Sequence, residues 1–130
     1  SPTWQVNTAS RTVQFAQGSK FTFAQKYVTT RFSNTSQTPE FLRGRLLDDV
    51  VSDLKANPSL ASKVEVNYVV RDGVKIINNN RSAVVLQRAG IDISKWKLIN
   101  QTGNSFYENS VNTQLQNNDL TTTGSRTIKY

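Results

Sequence analysis

The stretch from Lys63 to Gly90 constrains the fold more than any other part of this 130-residue chain. Residues 64–70 place an apolar side chain at every second position, which is typical of a strand with one buried face. The dipeptide Asp72-Gly73 follows, and it favours a two-residue turn because both central residues of such a turn need positive φ. We therefore predict a β-hairpin whose returning strand covers residues 74–77.

A short helix is predicted directly after the hairpin. The triplet Asn78-Asn79-Asn80 ends the returning strand, and an asparagine is well suited to cap a helix over Arg81 to Ala89 that Gly90 closes. Arg81 would then lie at a helix N-terminus, where free backbone N–H groups and the helix dipole favour an anion. The alternative is that its guanidinium only contacts a loop carbonyl or a carboxylate.

The remaining patterns predict further elements. Apolar residues form one stripe over residues 39–56, which indicates a helix whose firm part is Arg45 to Ala56. A strand is predicted over residues 96–99, a helix begins at the S-x-x-E capping box of Ser105, and residues 121–130 run from a loop into a last strand. Residues 12–15 and 20–23 alternate and favour short strands, whereas residues 23–30 are also compatible with a helical turn.

These elements predict an α+β domain, with an N-terminal helical part packed on a small, mostly antiparallel β-sheet. One domain is expected over residues 1–130. Within it, residues 1–37 are a polar, weakly patterned segment and residues 38–130 form the α+β core. No apolar run approaches the length that spans a membrane.

Histidine and cysteine are both absent from the chain. Zinc sites of the usual kinds, Ser-His-Asp triads and two-histidine ribonuclease chemistry are therefore excluded. Any catalysis would have to use Lys, Arg, Tyr, Ser, Thr, Asp or Glu. No phosphate-binding loop or dinucleotide motif is present, and no metal or other cofactor is expected. The alternative is a metal site built from dispersed Asp and Glu.

The formal net charge is +7. Residues 1–47 carry six bases and one acid, residues 48–72 three bases and five acids, and residues 73–130 seven bases and three acids. Two basic flanks around a near-neutral centre predict a polyanionic partner, with nucleic acid first. The alternative is a basic protein whose lysines and arginines are merely scattered.

Polar and basic residues at predicted strand ends and loops are the candidate site. RNA cleavage needs an activated 2′-hydroxyl, in-line geometry and stabilised charge, all of which Arg, Lys and Tyr can supply. Each residue also has an ordinary interpretation as a packing, capping, turn or solvent-face residue. The candidate catalytic residues are Arg81, Tyr107, Thr123, Ser125 and Arg126, and the candidate substrate-binding residues are Ser82, Thr102 and Lys129.

Three segments resemble the C-terminal toxin domains of bacterial polymorphic toxins, of the contact-dependent growth inhibition (CdiA) and Rhs types. They are F-x-x-G-R-x-L-D-D-x-V at Phe41, the hairpin V-x-Y-V-V-x-D-G at Val66, and I-x-N-N-R-S-x-x-x-L-x-x-A-G at Ile77. The later strings WKLINQTG (96–103) and GSRTI (124–128) are also similar. The resemblance covers residues 40–130.

The resemblance implies a small ribonuclease, most often a tRNase, with the fold of the group that unites barnase, EndoU, the colicin tRNases and RelE. It implies a cognate, acidic immunity protein, and it allows a host activating factor. It also implies a domain that is secreted or displayed within a larger effector and acts in the cytoplasm of a target bacterium. A ParB-like nuclease is the alternative enzyme. Asp72-Gly73, followed by Asn80-Arg81 and a predicted helix, is similar to the signature of that nuclease family.

Two non-enzymatic hypotheses stand beside the ribonuclease. The first is a basic nucleic-acid-binding module, whose affinity would fall steeply with salt and which would cleave nothing. The second is a protein-interaction domain whose charge serves an acidic partner.

Overall fold

The computed structural model describes residues 4–130 and confirms the α+β class. Every element predicted after residue 38 is present in the predicted order. In chain order the elements are β1 (Trp4–Asn7), β2 (Thr12–Phe15), β3 (Phe21–Phe23), α1 (Leu47–Ala56), β4 (Glu65–Arg71), β5 (Val74–Ile77), α2 (Asn80–Arg88), β6 (Lys97–Asn100), α3 (Ser105–Asn117) and β7 (Thr127–Lys129).

The predicted hairpin is confirmed. β4 and β5 pair antiparallel with Arg71 opposite Val74, so the connection is the dipeptide Asp72-Gly73. Both turn residues have positive φ, 52° and 75°. That combination is what a type I′ turn requires, so local sequence alone sets the register of the two strands.

The strands form two sheets. The four-stranded sheet has the order β3-β5-β4-β6, in which β4 and β5 are antiparallel while β3 and β6 join their neighbours in parallel. The three-stranded sheet has the order β1-β2-β7 and is antiparallel throughout. Antiparallel pairing is the commoner kind over the two sheets together, but the expected single sheet is divided in two, and two of the three pairings in the four-stranded sheet are parallel.

The N-terminal part of the chain differs from the expectation of a helical start. Its first elements are three strands, and the first α-helix begins only at Leu47. The alternating residues 12–15 and 21–23 are strands, and residues 24–30 do not adopt the helical turn. These strands complete both sheets, so the segment before residue 38 is integral to the described fold.

Two helices pack on one face of the four-stranded sheet and the third packs on the other. Along β5, Ile77 belongs to the main core with α1 and α2, whereas Ile76 packs in a second cluster with Val111 and Leu115 of α3. Successive strand residues point to opposite faces, which explains the division. α2 is the most deeply buried helix, with every residue from Ser82 to Gln87 buried.

The first helix begins later than predicted, and the third begins at Ser105 as predicted but has a different cap. Residues 39–46 form irregular turns before α1, because Gly44 adopts a left-handed φ of 65° that a helix cannot accommodate. The capping box predicted at Ser105 does not form. Asn104 is the N-cap residue and accepts from the Phe106 N–H at 3.1 Å, while Glu108 accepts from the Gly103 N–H and from Arg71.

Residues 123–130, here called the seam segment, join the two sheets. On one side Ile128 lies opposite Val13 of β2. On the other, Ser125 and Phe23 exchange two backbone hydrogen bonds at 2.6 and 2.8 Å. The backbone of the seam segment therefore forms hydrogen bonds with β2 of one sheet and with β3 of the other. Among the described residues, no helix is both long and apolar enough to cross a bilayer.

Candidate functional site

A polar cleft of about 440 Å³ opens where α2 begins. Its walls are the start of α2, one side of α3, the first half of β4 and the loop before α1. The volume lies within the range typical of small-ligand sites. Arg81, Ser82 and Tyr107, three of the residues singled out from the sequence, line this cleft.

Strand topology explains why polar side chains converge here. β3 and β5 are parallel and end at the same edge of the sheet, while β4 runs the opposite way and begins at that edge. Because Tyr68 is opposite Ile77, the earlier β4 residues Glu65 and Asn67 extend past the end of β5. The asparagine triplet 78–80 follows β5 and occupies that space.

Asn79 occupies the N-cap position of α2, but its side chain does not cap the helix. Its amide instead acts as an extra peptide group at the edge of β4. The Asn79 Oδ1 atom accepts from the Asn67 N–H at 2.7 Å, and its Nδ2 donates to the Glu65 carbonyl. The prediction of an asparagine cap is therefore wrong, because pairing with β4 competes for the same side chain.

Asn80 links α2 to the end of β3. It is only 2% exposed, and its Oδ1 accepts from the Ala24 N–H at 3.0 Å. Its Nδ2 donates to the Asn78 carbonyl at 2.9 Å and to Gln25 Oε1 at 3.2 Å. A buried amide with all these partners is a rigid support for the helix start.

Because the Asn79 side chain does not cap α2, backbone N–H groups at the start of this helix have no hydrogen-bond partner among the described residues. Within residues 4–130, no hydrogen bond engages the backbone N–H of Asn80 or Arg81. Ser82 is 3% exposed and lines the cleft, and its hydroxyl also has no hydrogen-bond partner in that part of the chain. Free N–H groups at the positive end of a helix dipole favour an anion.

Arg81 is held in place and still has donors to spare. Its guanidinium donates to Thr29 Oγ1 at 3.2 Å, to the Arg31 carbonyl and to Ser33 Oγ at 3.0 Å. A guanidinium has five N–H donors, so two remain for a ligand. Burial lowers the pKa of Arg81, but a guanidinium stays protonated at any ordinary pH.

Two aromatic residues of α3 form one wall of the cleft. Phe106 is 58% exposed and meets the Tyr107 ring edge-on, with ring centroids 5.1 Å apart. Tyr107 is half-buried against the second core cluster, and no hydrogen bond within residues 4–130 engages its hydroxyl. The Tyr107 ring can therefore pack against the core while its hydroxyl stays available to a ligand.

Glu65 is the only carboxylate among the described residues that line the cleft. One of its oxygens, Oε1, lies 3.1 Å from Lys97 Nζ on the neighbouring strand β6. Both side chains keep substantial exposure, 40% for Glu65 and 50% for Lys97. The second oxygen can therefore accept a proton from a ligand.

The other candidate residues do not line this cleft. Thr102 accepts from the Val70 N–H at 2.9 Å in the loop after β6. The remaining four lie in the seam segment. The Thr123 carbonyl accepts from Thr22 at 2.7 Å, the Ser125 hydroxyl donates to the Thr127 carbonyl, Arg126 donates to the Ala16 carbonyl at 3.1 Å, and Lys129 is an exposed residue of β7.

Sequence reasoning missed several residues of the cleft, chiefly amides. Their types are those that turns and caps use, so composition alone does not mark them. Three consecutive asparagines between a strand and a helix were the available signal. The missed residues are Gln25, Glu65, Asn67, Asn78, Phe106, Ser110 and Gln114.

Among residues 4–130, no cluster of three or more His, Cys, Asp or Glu side chains is arranged to hold a metal ion. No protein-family model, curated protein or solved structure matches the chain.

Proposed function

We propose that this protein is a metal-independent endoribonuclease toxin whose active site is the cleft at the α2 N-terminus. The proposal rests on hydrogen-bond donors that belong to residues of one cleft. The residues that line this cleft include Asn80 and Arg81, whose backbone N–H groups have no partner among the described residues, and Tyr107, whose hydroxyl has none. The Arg81 guanidinium also keeps two unused donors. Donors grouped in this way suit the oxygens of a phosphodiester, and the +7 charge favours RNA as the substrate.

Each group has a role in cleavage by the neighbouring 2′-hydroxyl. The Glu65 carboxylate accepts the 2′-hydroxyl proton as that oxygen attacks phosphorus. Arg81 and the α2 amides stabilise the negative charge of the phosphorane. Tyr107 donates its proton to the departing 5′-oxygen, and the products are a 2′,3′-cyclic phosphate and a 5′-hydroxyl. Glu65 then returns its proton to Tyr107 through solvent.

The biological setting follows from the resemblance to polymorphic toxin domains. tRNA is the first substrate to test, and a cognate acidic immunity protein would cover the basic surface around the cleft. A host activating factor is a further partner of the same hypothesis. The domain would travel on a secreted or surface-displayed effector and act in the cytoplasm of the target bacterium.

The direct test is incubation of the pure protein with total tRNA, in EDTA and in magnesium, followed by a denaturing gel. Discrete fragments ending in a cyclic phosphate are expected in both buffers. Cleavage only in magnesium would contradict the metal-free mechanism. Intact RNA in both buffers would contradict a ribonuclease that acts without a host factor, and retention of labelled RNA at low salt would then support a binding module.

A matched pair of variants tests the role of the Tyr107 hydroxyl. Tyr107→Phe keeps the ring and its packing, and loss of a proton donor should lower the cleavage rate by about 100-fold or more. Tyr68→Phe removes a hydroxyl from a half-buried tyrosine of β4 that does not line the cleft, and it should cleave at the wild-type rate. Equal rates for both variants would remove Tyr107 from the chemistry.

A further inference from the structure

We propose that the cleft binds an unpaired nucleobase through three amide side chains, Gln25, Asn67 and Gln114, here called the amide triad. The proposal rests on the proposed function and names its substrate: a nucleotide in a single-stranded loop, with its phosphate at the α2 N-terminus. All three amides line the cleft. Each keeps one hydrogen-bonding atom without a partner among residues 4–130.

The orientation of the Gln25 amide is fixed by a chain of hydrogen bonds that starts on the backbone. The Ala24 N–H can only donate, so the atom of Asn80 that it meets at 3.0 Å must be Oδ1. Asn80 Nδ2 therefore points to Gln25 Oε1, at 3.2 Å. Gln25 Nε2 is left as a donor without a partner among the described residues.

A second chain of hydrogen bonds fixes the Asn67 amide. The Phe106 N–H donates to Asn104 Oδ1 at 3.1 Å, so Asn104 Nδ2 donates to Gln101 Oε1 at 3.3 Å. Gln101 Nε2 in turn donates to Asn67 Oδ1 at 3.1 Å. Asn67 is 9% exposed, and its Nδ2 is the second free donor.

Gln114 supplies an acceptor. Its Nε2 donates to the Asn78 carbonyl at 3.0 Å, and since a carbonyl can only accept, the other end of the amide must be oxygen. That Oε1 atom is buried and has no partner among the described residues. A buried acceptor without a partner is unfavourable, so a ligand N–H that reaches it is bound with a gain.

Two fixed donors, one fixed acceptor and an aromatic face are the elements that read a base. Asparagine and glutamine amides recognise base edges, and splayed-out bases stack on aromatic rings such as the exposed Phe106. In a duplex, the Watson–Crick N–H groups already have partners and the bases are stacked. The amide triad therefore favours an unpaired base over a paired one.

The test measures binding without cleavage. Fluorescent 2′-O-methyl oligonucleotides of A, C and U lack the attacking hydroxyl, and a 2′-O-methyl A·U duplex and an abasic sugar-phosphate strand of equal length complete the set. Wild-type protein should bind its preferred base about tenfold more tightly than its weakest base, the duplex and the abasic strand. Equal affinity for all five probes would overturn the proposal.

Gln114→Met removes the free acceptor, together with the Nε2 bond to the Asn78 carbonyl, while keeping the length of the side chain. We expect it to bind all single strands with the affinity that wild type has for the abasic strand. Gln116→Met, an exposed residue on the same helix, should behave as wild type. If Gln114→Met does not fold, Gln25→Met tests the same triad. Base preference that survives in the folded variant would contradict the assignment.

Failure of the ribonuclease and failure of the base site give different results. Selective binding with no cleavage of unmodified RNA would refute the nuclease and support the amide triad. Cleavage without any base or strand preference would support the nuclease and refute the amide triad.

Discussion

The cleft and the seam segment contain the same kinds of residue, yet their side chains are used differently. In the cleft, Arg81, Tyr107 and Ser82 retain hydrogen-bonding groups that no described residue engages. In the seam segment, the Thr123 carbonyl and the Ser125 backbone and hydroxyl are occupied by neighbours, while Arg126 and Lys129 keep free donors on an exposed surface. Neither residue type nor a free donor alone therefore distinguishes the two regions. The cleft differs because its residues with unused hydrogen-bonding groups line one concave surface.

The largest expected contrast is between the arginines of the two regions. Arg81→Gln should lower RNA cleavage by about 100- to 1,000-fold, as for loss of a group that stabilises transition-state charge. Arg126→Gln removes an exposed guanidinium with a single bond to the Ala16 carbonyl, and it should retain wild-type cleavage. Initial rates on labelled tRNA, measured below the melting temperature of each variant, make the comparison.

Arg81→Gln also loses bonds to residues 29–33, so its folded fraction must be measured by circular dichroism before rates are compared. If Arg126→Gln lost as much activity as Arg81→Gln, the seam segment would belong to the active site after all.

A smaller effect is expected from a glycine of the seam segment. Gly124 has φ of 79°, and a Cβ there would lie 2.5 Å from the Phe23 carbonyl oxygen. Gly124→Ala should therefore lower the free energy of unfolding by about 2–4 kcal/mol, from backbone strain plus a steric clash. Urea unfolding measures the change.

Gly18→Ala is the matched control for that substitution. Gly18 also has a positive φ, 91°, but nothing lies within 4 Å of an added Cβ. Only the backbone strain applies, so the loss should be about 1 kcal/mol. Equal losses in the two variants would mean that the seam segment does not pack as closely as the structure describes.

The smallest effect is a dependence of stability on pH. The Gly103 N–H, followed by Arg71, holds the pKa of Glu108 below its ordinary value of 4.5. The unfolded chain therefore binds a proton at higher pH than the folded one, so this stabilisation is complete above pH 4.5 and is lost as pH falls through the lower folded pKa.

Glu108→Gln should remove that part of the acid sensitivity. Chemical unfolding of both proteins at a series of pH values between neutrality and acid gives the comparison. Parallel pH profiles for wild type and variant would show that Glu108 does not contribute.

Elements whose signals are local were predicted well, and elements whose partners are distant were not. The hairpin rests on alternation and on one dipeptide with positive φ, so its register could be predicted. The pairing of β3 with β5 joins residues about fifty positions apart, and no local pattern encodes it. The cap of α3 was predicted wrongly for a related reason: Glu108 pairs with Arg71 of the distant strand β4, and Asn104 is the cap.

The sequence by itself determined the α+β class, the hairpin with its turn, the position of Arg81 at a helix start, and the absence of histidine and cysteine from any site. These depend on periodicity, turn stereochemistry and composition, which are readable along the chain. Only the tertiary structure decided which polar residues share a cleft. β4 runs past the end of β5, so Glu65 and Asn67 meet the asparagine triplet there, while the seam segment binds the two sheets together elsewhere.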